Sequence, residues 1–281
     1  MPKTIKQTLS WAQLQLESAD IDTARLDTLV LLEDTLGMDR AKILAEPNFQ
    51  LTNEQFKKYK KAILNRTKHL PLAYIRQKTE FYGRDFFIDH RVLEPRPESE
   101  TIIDELLKLC QGNKKACNII DVGTGSGSLI ITAKLELPNC IAVATDIDQA
   151  CLEVAKLNSQ KYECKIKFVH TDLIDRLSND AYKKPCIIIA NLPYVPSSWH
   201  INRSATHEPK TAIFGGKSGL KLYKQLFSRI DKLPTKPDHV ITESMPPQHE
   251  TLATIARNYG YRLKLSNDFI QVFSYLEQRQ A

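Results

Sequence analysis

Nowhere in its 281 residues does the chain hold an apolar run of the roughly 18 residues that cross a bilayer as a helix, so no membrane partner is expected. Residues 1–10 are polar and carry no contiguous apolar segment, and a secretory leader is not expected either. The six cysteines, at 110, 117, 140, 151, 164 and 186, form no Cys-x-x-Cys pair and have no histidine cluster beside them, so no zinc site and no other metal is expected. Several lie in apolar surroundings, such as Cys186 before Ile187-Ile188-Ile189, and read as small buried hydrophobes of a reducing, cytoplasmic compartment. Internal repeats and low-complexity tracts are absent. Charge of one sign is scarcely in excess: 39 basic against 33 acidic residues leave +6, which permits an acidic partner without requiring one. Its main concentration is Lys57, Lys58, Lys60, Lys61, Arg66 and Lys68 on an expected helix. That cluster reads either as a solvated face or as a docking surface for RNA or an RNA-bound protein.

What is present is an ordinary globular composition, 42% hydrophobic and 26% charged, on a chain long enough for two domains. Residues 1–75 have helical periodicity. Leu29, Leu32 and Leu36 fall at i, i+3 and i+7 before Gly37, and Thr52-Asn53-Glu54-Gln55 has the form of a capping box ahead of a second helix. Residues 76–98 form a linker. Within it, residues 80–88 read as two short aromatic-rich strands turning at Gly83-Arg84, and Pro95-Arg96-Pro97 is stiffened by its prolines. A helix is expected over residues 99–110, opening a domain that runs to 281.

From residue 117 the rhythm changes. Apolar runs end in polar residues at regular intervals: Ile120 before Asp121, Ala144-Thr145 before Asp146, Val169 before Asp172, Ala190 before Asn191, and Ile241-Thr242 before Glu243. Helix-length segments separate them. Almost unbroken apolar strands alternating with helices indicate an α/β fold, a mostly parallel sheet covered on both faces. Ligands of such sheets bind at the carboxyl ends of the strands, where these polar residues lie.

Asp121-Val122-Gly123-Thr124-Gly125-Ser126-Gly127 occupies a strand-to-helix turn. A pyrophosphate-binding turn has the spacing Gly-x-Gly-x-x-Gly, whereas here the third glycine comes one residue early and an acid precedes the first. An anion at that place suits a cationic ligand, and the α-ammonium and sulfonium of S-adenosylmethionine (SAM) supply the charge. Asp146 is then expected to accept from the ribose hydroxyls and Asp172 from the adenine amino group, with Leu173 against the ring. The alternative is that Asp146 and Asp172 only cap the following helices.

Asn191-Leu192-Pro193-Tyr194 follows the fourth strand of this series and faces the same crevice. Asn-x-Pro-Tyr at this place resembles the motif of methyltransferases acting on planar nitrogen, in adenine or in a glutamine side chain. The side-chain oxygen of Asn191 and the carbonyl of Leu192 can bind the two N–H groups of such a nitrogen. Pro193 would fix the backbone, and Tyr194 would stack on the planar group.

Over nearly its whole length the chain resembles the release-factor glutamine methyltransferases of the HemK type. The stretches that carry this are Arg25-Leu26-Asp27, Pro71-Leu72-Ala73-Tyr74-Ile75, Glu80-Phe81-Tyr82-Gly83, Pro95-Arg96-Pro97-Glu98-Ser99-Glu100, the glycine loop, and Glu208-Pro209 with Thr211-Ala212-Ile213. The resemblance implies a class I SAM-dependent methyltransferase, Rossmann-like, behind a small all-α substrate-docking domain and a β-hairpin. It also implies methylation of the glutamine in the Gly-Gly-Gln motif of peptide chain release factors, by a monomer with no stable nucleic-acid partner. Two departures stand out. Leu192 replaces the family's usual proline, and Glu243-Ser244-Met245 and residues 266–271 replace its Glu-x-Gly and Gly-x-Glu-Arg.

Asn-Leu-Pro-Tyr also resembles ribosomal RNA adenine dimethyltransferases, but those carry their helical domain after the catalytic one, and DNA adenine methyltransferases add a recognition domain not found here. A catalytically silent SAM-binding protein is the remaining alternative.

Overall fold

The computed structural model describes residues 4–111, 117–183 and 185–276. It divides into two compact units, one holding the residues up to Lys78 together with Ile201–His207, the other Thr79–His200 and the residues from Glu208 onward.

The helical unit contains α1 (Ile5–Glu17), α2 (Ala24–Leu36), α3 (Arg40–Ala45), α4 (Asn53–Arg66) and α5 (Leu72–Arg76). Gly37 ends α2 in the left-handed region at φ 65°, and Thr52 and Gln55 close the expected capping box of α4. Its core is built from Leu16, Leu32, Ile43, Tyr59 and Ile63. One ion pair lies inside it: Arg66 Nε donates to Asp27 Oδ2 at 2.6 Å, with both residues buried. Arg66 thus leaves the lysine cluster, whose Lys57, Lys58, Lys60, Lys61 and Lys68 are exposed. Residues 201–207 join this unit through short polar links. His207 Nε2 bonds the Lys68 carbonyl at 2.9 Å, and Ser204 Oγ lies 3.4 Å from Arg66 Nη1.

In the second unit, β1 (Thr79–Phe81) and β2 (Arg84–Phe86) form an antiparallel hairpin. It turns at Tyr82-Gly83, one residue before the expected position, because both residues take positive φ, 52° and 68°, as a two-residue type I′ turn requires. Phe81 and Phe86 bury themselves in the core of the sheet unit, so the hairpin belongs to that unit and not to a separate linker.

After α6 (Glu100–Cys110) the sheet begins: β3 (Asn118–Val122), α7 (Ser128–Glu136), β4 (Ile141–Asp146), α8 (Gln149–Lys161), β5 (Ile166–His170), β6 (Cys186–Ala190), α9 (Lys210–Ile213), α10 (Lys221–Asp231), β7 (His239–Glu243), α11 (His249–Asn258), β8 (Tyr261–Asn267) and β9 (Ile270–Tyr275). Among the described residues the sheet has seven strands in the order β5-β4-β3-β6-β7-β9-β8, with β9 antiparallel to both neighbours and the rest parallel. The order reverses between β3 and β6, the topological switch at which open sheets bind ligands. Side-chain alternation splits the core in two. Ile119, Ile187 and Ile189 pack with α6 and α7, while Ile120, Ile188 and Ala190 pack with α10 and α11. The sheet is therefore buried on both faces, as the unbroken apolar runs require. β8 is a strand beyond those expected; it is mostly exposed after Tyr261, and its register against β9 shifts between Leu263 and Leu265, so it carries no single apolar face. Among the described residues no helix is long and apolar enough to cross a membrane.

Candidate active site

A cleft opens at the carboxyl ends of β3, β4, β5 and β6, with about 1090 Å³ of empty space including its open mouth. Its wall at β3 is the glycine loop. Gly123, Gly125 and Gly127 all take positive φ, which lets the chain double back before α7. Two of the glycines also leave little room for a side chain. A Cβ at Gly127 would meet the Ala155 Cβ of α8 at 3.1 Å, and one at Gly123 would meet Leu192 Cδ2 at 3.0 Å. The early third glycine thus lets the loop pack against α8. Gly123, Thr124, Gly125 and Ser126 line the cleft.

Asp121 sits behind this wall. It is fully buried and does not line the cleft; its Oδ2 accepts from Thr124 Oγ1 at 2.6 Å, and its Oδ1 has no partner among the described residues. Burial, and the Asp146 charge after it, push its carboxyl up to about 7 against the pull of Thr124. Asp146 lines the cleft. Its Oδ2 accepts from Gly125 N at 3.0 Å and its Oδ1 from Asp148 N at 2.9 Å, so the carboxylate is fixed with lone pairs to spare. It does not cap α8, because Asp148 does so by accepting from Ala150 N at 2.8 Å. Asp172 and Leu173 line the cleft as well, Leu173 at φ 48°. Arg229 of α10 grips this corner, donating to Asp172 Oδ2 at 2.6 Å and to the Asp172 carbonyl at 2.9 Å, and the hydrogen bond from Arg229, with its charge, holds the Asp172 carboxyl below its usual range. A buried acceptor without a partner, two further carboxylates and a close backbone approach suit a cationic, ribose-bearing ligand such as SAM.

Asn191, Leu192 and Pro193 line the same cleft. The Leu192 side chain is buried against Gly123, and its N–H donates to the Tyr223 hydroxyl at 3.1 Å. Tyr223, fully buried on α10, donates in turn to Glu243 O or Ala190 O. Tyr194 is not in the cleft wall; its hydroxyl donates to Glu243 Oε1 at 3.0 Å, and the Tyr194 carbonyl accepts from Gln248 Nε2 at 2.8 Å. Asn191 Nδ2 donates to Ser99 Oγ at 2.9 Å. Among the described residues nothing donates to Asn191 Oδ1 or to the Leu192 carbonyl, so these two residues of the cleft wall each keep an acceptor without a donor. Arg96 borders the cleft with Glu94, Pro95 and Ser99, whereas Pro97 and Glu98 lie outside its wall. Arg96 pairs at 2.5 Å with buried Glu208, and this ion pair ties the proline connector to the loop carrying Pro209, Thr211 and Ala212, which also line the cleft.

Four further residues shape the site. Glu243 stands at a strand end, as the sequence pattern has it. Ser99 lies within the stretch Pro95 to Glu100 and at the expected helix start, whereas no sequence signal marks Tyr223. Asn158 of α8 joins the hairpin to the glycine loop, donating to Phe87 O at 2.9 Å and Ser126 O at 2.8 Å. The cysteines are free thiols, Cys117, Cys140 and Cys186 buried and the other three half-buried. Among the described residues no group of His, Cys, Asp or Glu could hold a metal ion.

The family model for the PrmC N-terminal domain matches residues 7–76, and that for the methyltransferase small domain matches residues 99–208. Release factor glutamine methyltransferases of Koribacter versatilis and Bacillus subtilis are each 34% identical to the chain, in alignments covering 81% of it and 81% and 80% of the relatives. The chain belongs to the release factor glutamine methyltransferase family. Its cofactor is SAM, and the order of its sheet is that of the class I methyltransferases. The bifunctional methyltransferase of Rickettsia typhi is 28% identical over 285 residues, and the match spans 54% of that longer protein. The hMettl16 catalytic domain, solved with an RNA hairpin, superposes with a TM-score of 0.54 over 82% of this chain and 86% of its own, and at 17% identity it shares the fold alone.

Proposed function

We propose that this methyltransferase transfers the methyl group of SAM to the side-chain amide nitrogen of the glutamine in the Gly-Gly-Gln motif of peptide chain release factors, acting as a cytoplasmic monomer. The observation that carries this reading is that the cleft-lining Asn191 and Leu192 keep two acceptors, Asn191 Oδ1 and the Leu192 carbonyl, to which nothing among the described residues donates. A primary amide offers two N–H donors and a nitrogen whose lone pair is delocalised into its carbonyl. Two acceptors that take those donors hold the nitrogen in place and favour its pyramidal form, which exposes the lone pair. SAM, when bound, supplies an electrophilic methyl on sulfur. The glycine loop, Asp146, and Asp172 with Leu173 would hold it, and Asp121 would stabilise its ammonium from behind the loop. The nitrogen acquires positive charge on methylation and then sheds a proton, so no strong base is needed beforehand. Tyr194, with its hydroxyl on Glu243, would present its ring to the amide plane from outside the cofactor cleft.

The test is Asn191→Ala with a full-length release factor as acceptor. Loss of transfer with SAM affinity within about twofold of the parent supports the reading, whereas parallel loss of SAM binding would make Asn191 a cofactor residue and overturn it.

A further inference from the structure

Asn191 and Leu192 line the cleft, and two side-chain donors of the tetrapeptide lead to one buried carboxylate, the Tyr194 hydroxyl directly and Asn191 Nδ2 through Ser99. Glu243 closes β7 at 1% exposure. Its Oε2 accepts from Ser99 Oγ at 2.6 Å and its Oε1 from the Tyr194 hydroxyl at 3.0 Å. Ser99 Oγ accepts in turn from Asn191 Nδ2 at 2.9 Å.

The two ends of an asparagine amide are nearly the same size, so sterics alone do not choose which faces a ligand. Hydrogen-bond polarity does. An ionised carboxylate can only accept, and a serine hydroxyl has a single proton to give. Ser99 spends that proton on Glu243 and can then only accept from Asn191. The nitrogen end of the amide is drawn inward, and the oxygen end is left at the cleft. Turned over, the amide would set its own N–H groups against those of the substrate, and the acceptor would be lost.

We propose that Glu243 and Ser99 are positioning residues that set the amide orientation of Asn191 and the ring of Tyr194, and so make Asn191 Oδ1 the acceptor for the substrate nitrogen. The proposal rests on the glutamine-methylating reading of the site. It assigns a function to Glu243 that does not depend on the residues after it, where the chain departs from the family's Glu-x-Gly. Burial raises the Glu243 carboxyl above its usual range, against hydrogen bonds from Ser99, Tyr194 and Asn191 that favour the anion. The other titratable or charged groups around it are Glu98, the phenols of Tyr194 and Tyr223, Arg96 near Tyr194, and His249 on the Ser244 carbonyl.

Ser99→Ala, Ser99→Thr and Glu243→Gln are to be compared with the parent by SAM calorimetry and by kcat, KM and the pH profile of methylation of a full-length release factor. Ser99→Ala and Glu243→Gln are expected to lower kcat about 10- to 100-fold, the range for partners that orient a contacting ligand, with SAM Kd and KM within about twofold. Ser99→Thr keeps the hydroxyl and is expected to recover most of the rate. The parent's kcat should fall toward acid pH as Glu243 takes up a proton and gains the ability to donate, and Glu243→Gln should lack that limb. If the parent methylates the release factor but both substitutions leave kcat within about twofold, the positioning role is refuted and the substrate assignment stands. A loss of SAM binding in step with kcat refutes it too. A parent that methylates no release factor defeats the underlying reading before any variant is compared.

Discussion

Replacing Tyr223 by Phe removes one buried oxygen and should uncouple Leu192 from the sheet. The hydroxyl accepts from Leu192 N at 3.1 Å and donates to Glu243 O or Ala190 O, and it is completely buried. Phe keeps the ring packing among Leu226, Phe227 and Ile188 but leaves the Leu192 N–H without an acceptor. An orphaned buried donor costs about 1–3 kcal/mol, and the lost bond to the carbonyl adds about 0.5–1.5 kcal/mol. Proline at 192 has no N–H to orphan. It suits the extended geometry that Pro193 already imposes on its predecessor. In the Leu192→Pro background, Tyr223→Phe should therefore cost only the second amount. A double-mutant cycle by urea unfolding of the four proteins should give a coupling of about 1–3 kcal/mol, with the packing loss of Leu192→Pro cancelling because both arms share it. Equal cost of Tyr223→Phe in both backgrounds would refute the idea that this hydrogen bond stands in for the rigidity of the family's proline.

Further expectations follow from the same geometry. Asp146→Ala removes a fixed carboxylate from the cleft and should weaken SAM binding at least tenfold by calorimetry, about 1.4 kcal/mol; unchanged affinity would sink its ribose role. Asp27→Ala leaves Arg66 as an uncompensated buried charge and should destabilise the helical unit by about 3–5 kcal/mol in chemical unfolding, while Asp27→Ala with Arg66→Leu should regain most of it; equal losses would contradict a buried pair. Asp121 has a carboxyl raised from 3.8 to about 7, so the folded state binds the extra proton between those values. This term destabilises the fold as pH rises through that window, yet the anion is the form that attracts an ammonium. SAM affinity should accordingly climb as pH rises through about 7 and level off above it, and Asp121→Asn should flatten the curve.

The fold was written in the chain wherever burial is two-sided. β3 and β6 are buried at every position; β6 is an unbroken apolar run, whereas β3 buries Asn118 and Asp121 among its apolar residues. β8 is mostly exposed, and the register shift between Leu263 and Leu265 breaks the period of two by which such a strand is read. The hairpin turn was misplaced by one residue because it depends on the φ of Tyr82, a residue type that rarely adopts a left-handed conformation. At the site, motifs marked which residues would gather at the strand ends but not what each would face. Asp121 is withdrawn behind the glycines, Asp172 is shared with Arg229, and Tyr194 is tied back to Glu243. The last two are contacts across 57 and 49 positions of sequence, which no local pattern encodes. The assignment of residues 201–207 to the helical unit is of the same kind, since His207 finds the Lys68 carbonyl across 139 positions.

The central claim is the acceptor, and one incubation addresses it. The protein is mixed with methyl-labelled SAM and, separately, a full-length release factor, the same factor with Gln→Ala in Gly-Gly-Gln, and ribosomal RNA. Label on the unaltered release factor alone is the expected result. Label on RNA, or on both release factors equally, would contradict the account.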